Sequence, residues 1–337
     1  MVDMGLPPKL APLASPRGGA QCPLGGRAGT GPPTLAPLAS PRGGAQCPSG
    51  GRAGTEIPNQ FHFVFGLRPQ PEPMHIVHYL ALESCRQVNR PDAIHFHYRH
   101  EPHGAWWERI RPHLTLHRVA GERQVVDARR YGETEEGRVI ERAGWSYAHE
   151  ADFIRLDALL AAGGVYADID TLFVQPLPQH LFREPFVIGE EPPLPGADGV
   201  LRPSLCNALM LSLPGAAFPT RWRERMDAVF DGTWSRHSCQ EAALLWAAMP
   251  GDVHVVPARY FYRHPPTRAG LGGLFEALET DLHDVYSLHL WSHLWWDAWR
   301  TDFTAFHAGL VTEEHIRSVD TTYNVLARGF LDQRVTG

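Results

Sequence analysis

From residue 61 onward the chain alternates between two apolar rhythms. Short runs rich in Phe, Ile, Val and Leu, closed off by turn residues, predict strands at residues 61–65, 93–98 and 114–119. Between them, apolar residues recur at helical spacing and predict helices over 73–88 and 105–113. The same reading gives further strands at 186–189, 207–212 and 254–257, and helices at 217–230 and 239–248. Residues 313–333 keep helical spacing and predict one more helix packed across the domain. Two Pro- and Gly-rich stretches, 192–203 and 264–273, read as loops, either plain connectors or lids over a site. Residues 286–296 alternate like a strand before an aromatic tail. Strands and helices in alternation predict an α/β fold with a mostly parallel sheet flanked by helices. In such sheets ligands collect at the carboxyl ends of the strands.

The densest chemistry lies in residues 149–173. Residues 148–162 are rich in Ala and Leu and contain no proline, so they predict a helix on which Asp152 and Arg155 share a face. Gly163 and Gly164 stop that helix, and Val165-Tyr166-Ala167 reads as a short buried strand. If the extended geometry persists through Asp170, alternation turns Asp168 and Asp170 to one side and Ile169 into the core. Paired carboxylates suit hard cations such as Mg²⁺ or Mn²⁺, which complete their shells with water and substrate phosphate. A bare Asp-x-Asp also occurs as two solvated turn carboxylates, and Asp152 with Arg155 is also what a simple intrahelical ion pair looks like. The unbroken order of helix, Gly-Gly, strand and Asp-Ile-Asp sets this segment apart.

That order resembles the DXD sugar-binding region of glycosyltransferase family 32 and of the related clostridial glucosylating toxins, through Ala151, Asp152, Arg155, Leu159, Gly163, Gly164, Tyr166, Asp168 and Asp170. Residues 56–66 resemble the family's opening strand, whose end, here Val64 and Phe65, lies under the nucleotide base. Phe65 stands where the family usually has Trp, so base stacking keeps less area and an indole hydrogen bond is lost. Residues 286–296 resemble the closing His-x-Trp segment, which returns a residue to the metal or pyrophosphate. His289 is the first candidate for that role and His293 the alternative; either is equally at home as a packing residue among tryptophans. Trp291, Trp295, Trp296 and Trp299 read as a sugar-stacking wall or as a core ridge.

The resemblance implies a GT-A fold over roughly residues 56–299 and a retaining transfer of sugar from a nucleotide-diphosphate donor, UDP favoured, to a hydroxyl group. It implies a metal site at Asp168, Asp170 and His289, filled by Mn²⁺ or Mg²⁺. It also implies donor contacts from Val64, Phe65, Asp152, Arg155, Tyr166, Asn207 and Trp291. In the family the leaving phosphate itself acts as base, so no protein nucleophile is nominated. The acceptor implied is a cell-surface polysaccharide, a lipid-linked glycan or a small molecule. Two other readings stay open: a nucleotide-sugar or glycan binder of the same fold without turnover, and a haloacid dehalogenase-type phosphatase. The phosphatase fits less well, because it needs Thr or Val where Leu172 stands and has no Asp-x-x-Arg helix before its motif.

Composition narrows the rest. The chain has 337 residues, 43% of them apolar, and a formal net charge of −6, so no general nucleic-acid surface is indicated. No apolar stretch is long enough to span a bilayer and no signal-peptide layout opens the chain; a cytoplasmic protein, with room for peripheral membrane contact, is the expectation. Residues 10–30 recur as 35–55 with Leu24 replaced by Ser49, in a Pro-, Gly- and Ala-rich composition that predicts disorder over residues 1–55. Those residues read as a tandem duplication lying upstream of the true start, with one folded domain over 56–337. Cys22, Cys47, Cys85, Cys206 and Cys239 lack metal spacing, and the last three read as buried thiols. His95, His97, His100 and His103 form a histidine-rich run with no acidic partner and no zinc spacing, so it reads as surface and core residues.

Overall fold

The computed structural model describes residues 56–121, 130–133, 139–141, 146–195, 199–295 and 310–331. The repeat in residues 1–55, together with Trp296 and Trp299, lies outside them. The chain opens with β1 (Gln60–Val64), α1 (Ile76–Ser84), β2 (Ala93–Tyr98), α2 (Ala105–Ile110) and β3 (Thr115–Arg118). A short antiparallel pair, β4 (Arg130–Glu133) and β5 (Val139–Glu141), precedes α3 (Ser146–Ala162), β6 (Gly164–Ala167) and β7 (Thr171–Phe173). Next come β8 (Phe186–Pro195), β9 (Leu201–Ser212), α4 (Ala217–Val229), α5 (Cys239–Ala248) and β10 (His254–Val256). The described chain closes with α6 (Ala258–Phe261), α7 (Arg268–Phe275), β11 (Ser287–His289), α8 (Glu313–Ser318) and α9 (Thr322–Arg328).

Seven strands form one sheet in the order β10-β8-β9-β6-β1-β2-β3. Only β9 runs against its neighbours; the other pairings are parallel. This mostly parallel sheet with helices on both faces is the α/β, GT-A type architecture anticipated from the sequence. Strand alternation divides the core between the two faces. Phe61, Phe63, Val165 and Ala167 pack toward α1, whereas Val64 and Tyr166 join Phe153, Leu156 and Leu159 of α3 on the other side.

Several elements differ from their sequence reading. The stretch 192–203 is not a loop throughout: β8 and β9 continue into it and pair Leu194 with Arg202 and Pro195 with Leu201. The ladder shifts register between Glu191 and Leu194, because Pro192 and Pro193 have no N–H to offer it. The stretch 264–273 contains the start of α7, capped by Thr267 Oγ1 accepting from Gly270 N. Glycine at 270 serves a close approach rather than a turn, since a Cβ there would sit 2.0 Å from Pro265 O. Residues 313–333 hold two short helices instead of one, because Thr321 leaves helical geometry to cap α9. The strand expected over 286–296 stops at His289, and Trp291 turns left-handed at φ 53° ahead of a single 3₁₀ turn.

Candidate active site

Gly163 and Gly164 set the geometry first. They end α3 at φ 68° and 103°, conformations that side chains disfavour, and a Cβ on Gly164 would lie 2.5 Å from Gln60 O. The chain thus turns from α3 directly into the centre of the sheet as β6, and Asp168 emerges at its carboxyl end, where its N–H donates to Ala208 O of β9. The extended geometry expected through Asp170 is not kept. A turn follows, closed by Thr171 N donating to Asp168 O. The two carboxylates converge because of this turn, not because of strand alternation.

The third member comes from far along the chain. β11 pairs antiparallel with β7 and sets His289 opposite Thr171. His289 Nε2 lies 3.1 Å from Asp170 Oδ1 and 3.7 Å from Asp168 Oδ2. Ser292 N donates to Asp170 Oδ2 at 2.8 Å, and Leu290 N donates to Asp170 O. Burial alone would raise the Asp170 carboxyl, but the His289 ring and the Ser292 amide hold it well below the usual carboxylate range. Burial does raise the Asp168 carboxyl, against the pull of Arg155 and His289. His289 keeps its proton more firmly than a free imidazole because Asp170 outweighs the cost of burial. The ligand atoms of Asp168, Asp170 and His289 all lie within 4.8 Å of one another. Two carboxylate oxygens and an imidazole nitrogen at this spacing fit a divalent cation of the Mn²⁺ or Mg²⁺ class.

Behind the acids lies a buried polar layer. Tyr166 Oη donates to Asp168 Oδ1 at 2.6 Å. The Arg155 guanidinium carbon lies over the Tyr166 ring, 4.6 Å from its centroid, and the side chain reaches Asp168 Oδ1 at 3.4 Å, Asp152 Oδ1 at 3.3 Å and Asn207 O at 2.9 Å. Asp152 also accepts from Asn207 Nδ2 at 2.7 Å and meets His237 Nε2 at 2.9 Å. The Asp152–Arg155 pair is therefore more than an intrahelical ion pair: it joins α3 to β6, β9 and the segment before α5. Burial works against both charges, yet Arg155 and His237 hold the Asp152 carboxyl below its usual range, and Asp168, Tyr166 and Asp152 raise Arg155 above its own. Arg155 is the main compensation of Asp152, whereas Asp168 is the main compensation of Arg155.

The remaining sequence candidates fall into place around this centre. Val64 is buried at the end of β1, and the Phe65 ring packs 4.4 Å from His78. Trp291 is only 4% exposed, donates Nε1–H to His264 O and stands 4.2 Å from the His289 ring. Trp295 is fully buried and donates to Leu290 O. Trp291 and Trp295 are thus buried among their neighbours, as in the core-ridge reading, while Trp296 and Trp299 lie outside the described residues. Trp291 does keep an edge on a cavity of about 260 Å³, lined also by Arg259, Arg263 and Pro192. His293 packs on Trp234 at 5.2 Å, so His289 is the histidine that joins the acids. His237 escaped sequence reasoning: it sits in an irregular segment between α4 and α5 with no spacing signal. Glu191 escaped it too. Ser204 Oγ donates to its carboxylate, and burial raises its pKa.

Residues 81–187, from α1 to the start of β8, match the family profile described as the glycosyltransferase sugar-binding region containing the DXD motif. Over 286 residues the chain is 30% identical to glucan organizing enzyme 1 of Cryptococcus neoformans var. grubii, covering 82% of this chain and 71% of that protein. The chain belongs to the DXD glycosyltransferases. Membership removes the phosphatase alternative, and Asp168-Ile169-Asp170 is the one Asp-x-Asp sequence within the matched residues 81–187. Among solved structures, this DXD glycosyltransferase resembles GlyE of Streptococcus pneumoniae at 12% identity, with 81% of this chain and 63% of that one covered and a TM-score of 0.42. It also resembles the galactosyltransferase LgtC at 15% identity, 82% and 98% coverage and a TM-score of 0.40. Among the described residues, no helix is long and apolar enough to cross a membrane.

Proposed function

We propose that this glycosyltransferase takes a sugar from a nucleotide-diphosphate donor, UDP-linked by preference, and transfers it with retention to a hydroxyl group, as family 32 enzymes do. The observation that carries this reading is the meeting of Asp168, Asp170 and His289 at the carboxyl end of β6. Asp168, Asp170 and His289 hold Mn²⁺ or Mg²⁺, which when bound supplies positive charge where the diphosphate departs. Arg155 and Tyr166 fix the Asp168 carboxylate from behind, so its free edge faces the donor. Asp152 and Asn207 complete the floor of the donor pocket, Val64 and Phe65 carry the base, and Trp291 closes the side next to His289. The acceptor hydroxyl attacks the anomeric carbon as its bond to phosphate oxygen breaks, and the hydroxyl proton passes to the leaving phosphate. A glycan acceptor, and with it polysaccharide biosynthesis, is the setting that best matches a fungal relative named for organizing glucan.

The test is donor hydrolysis across a panel of UDP- and GDP-sugars with Mn²⁺, Mg²⁺ or EDTA. Release of nucleoside diphosphate that needs the metal and disappears in Asp170→Ala supports the transferase. Metal-dependent binding of a donor without any release, even with glycan acceptors present, would make the chain a sugar-nucleotide binder instead.

A further inference from the structure

His237 reaches Asp152 from the irregular segment ahead of α5. Its backbone is pinned where Trp222 Nε1 of α4 donates to His237 O at 2.9 Å, in a buried bond. Its ring is pinned as well. It stacks on Phe153 at 11° with centroids 5.8 Å apart, and meets the Phe230 ring edge-on at 4.7 Å and the His149 ring at 5.2 Å. Fully buried among these rings, the imidazole is held in one orientation.

That orientation aims one nitrogen at Asp152 and leaves the other with nothing. An ionised carboxylate only accepts, so His237 Nε2, 2.9 Å from Asp152 Oδ2, carries the proton and donates it. His237 Nδ1 is buried and meets no partner among the described residues. A buried nitrogen without a partner costs stability, and a phenylalanine in this nest of rings would not carry that cost. Packing alone therefore does not account for an imidazole at position 237; the bond to Asp152 does.

A carboxylate offers about four lone-pair positions. Asp152 Oδ1 takes Asn207 Nδ2 at 2.7 Å and Arg155 Nη2 at 3.3 Å, and Oδ2 takes His237 Nε2. What is left is a position on Oδ2, on a residue that keeps 8% of its surface exposed. Contacts from α3, β9 and the segment before α5 fix the plane of the carboxylate, so this open position points in a single direction.

We propose that His237 is a positioning residue for sugar selectivity: by holding the Asp152 carboxylate in a fixed plane, it presents one acceptor to the donor and selects hexoses whose ring hydroxyl points at it. The inference rests on the reading of Asp152 as part of the donor-pocket floor. A hydroxyl of the opposite configuration leaves the oxygen unpaired, the kind of mismatch by which a hydrogen-bonding site rejects a close analogue. Without His237 the carboxylate swings on its Oδ1 contacts and meets either epimer.

The test measures binding rather than turnover. Titration calorimetry with Mg²⁺ gives the affinities of UDP, GDP and their conjugates with glucose and its epimers galactose, mannose and allose. Wild type is expected to favour one epimer by at least about tenfold, and His237→Phe to bring the epimers within about threefold of one another. His237→Gln, whose Nε2 donates from a similar place, should restore most of the preference. A merely structural role would weaken bare nucleotide and conjugates alike and leave the preference in place. An undiminished preference in folded His237→Phe overturns the proposal, as does a wild type that binds all epimers alike or a His237→Gln no more selective than His237→Phe. Should His237→Phe fail to fold, His237→Asn, too short to reach Asp152 Oδ2, takes its place with the same expectation. A protein that releases no nucleoside diphosphate fails as a transferase, yet its epimer preference still decides the role of His237.

Discussion

His289 Nε2 stands 3.1 Å from Asp170 Oδ1 although 119 residues separate the two in sequence. This ring is the counter-charge for a buried carboxylate, which predicts how a neutral replacement behaves. In His289→Gln, Asp170 keeps only the Ser292 amide against the pull of burial, so its carboxyl titrates higher than in the wild type. The contribution of Asp170 is full above its unfolded pKa and is lost only as pH falls through its depressed folded pKa, well below the usual carboxylate range; that of His289 is full below its unfolded pKa and is lost as pH rises through its raised one. Denaturant unfolding in EDTA should show the variant about 1–3 kcal/mol less stable at pH 6, with the gap still open at pH 3 and closing as pH rises past the imidazole range. A difference that does not change with pH would mean that His289 only fills space.

This pair also shows where sequence reading succeeds and where it stops. The helix, Gly-Gly stop and strand around Asp168 are local, and each has its own residue signal, so residues 148–167 were legible almost to the boundary. The turn at Asp168–Thr171 was not, because Ile169 fits a strand as well as a turn and only the β7–β11 pairing decides. Arg155 was legible as a helix-face neighbour of Asp152, but its contact with Asn207 O depends on β9 lying beside β6. The histidines on β1, β2 and β3 are the clearest case: His95 and His97 alternate visibly, whereas His62 and His117 stack against them only through parallel register between separate strands.

Arg155 reaches Asp152, Asp168 and Asn207 O at once, which takes the planar fork of a guanidinium. Arg155→Lys keeps the charge but can meet only part of this set. Donor turnover should fall about 10–100-fold, with most of the loss in kcat, because Asp168 loses its alignment while the nucleotide contacts remain. Steady-state kinetics on the best donor would check it, and a lysine enzyme with wild-type kcat would show that charge alone suffices.

Cys85, Cys206 and Cys239 are 0%, 3% and 6% exposed, and burial pushes all three thiols well above their ordinary range. Thiolate, the reactive form, is therefore scarce at pH 8. Iodoacetamide labelling followed by peptide mass spectrometry should leave all three unmodified in the native protein and label them together once denaturant unfolds it. Early labelling of Cys239 alone, which donates to Asn207 Oδ1, would instead reveal local opening between α5 and β9.

Gly164 and Gly215 both have positive φ, 103° and 65°, but only one is crowded. A Cβ at Gly215 meets nothing within 4 Å, so Gly215→Ala pays the left-handed backbone term alone, about 1–2 kcal/mol. At Gly164 the same atom falls 2.5 Å from Gln60 O and 2.8 Å from Gln60 Cγ, and the carbonyl belongs to β1, whose next residues pair with Val165 and Tyr166. Relief requires β1 and β6 to separate, which loosens the strand that delivers Asp168. Gly164→Ala should therefore lose at least about 3 kcal/mol in urea unfolding and lower metal affinity at the aspartates as well. Gly215→Ala should leave metal binding at the wild-type level. Equal stability losses in the two variants would show that the approach of Gln60 O to Gly164 is slack enough to absorb a methyl group.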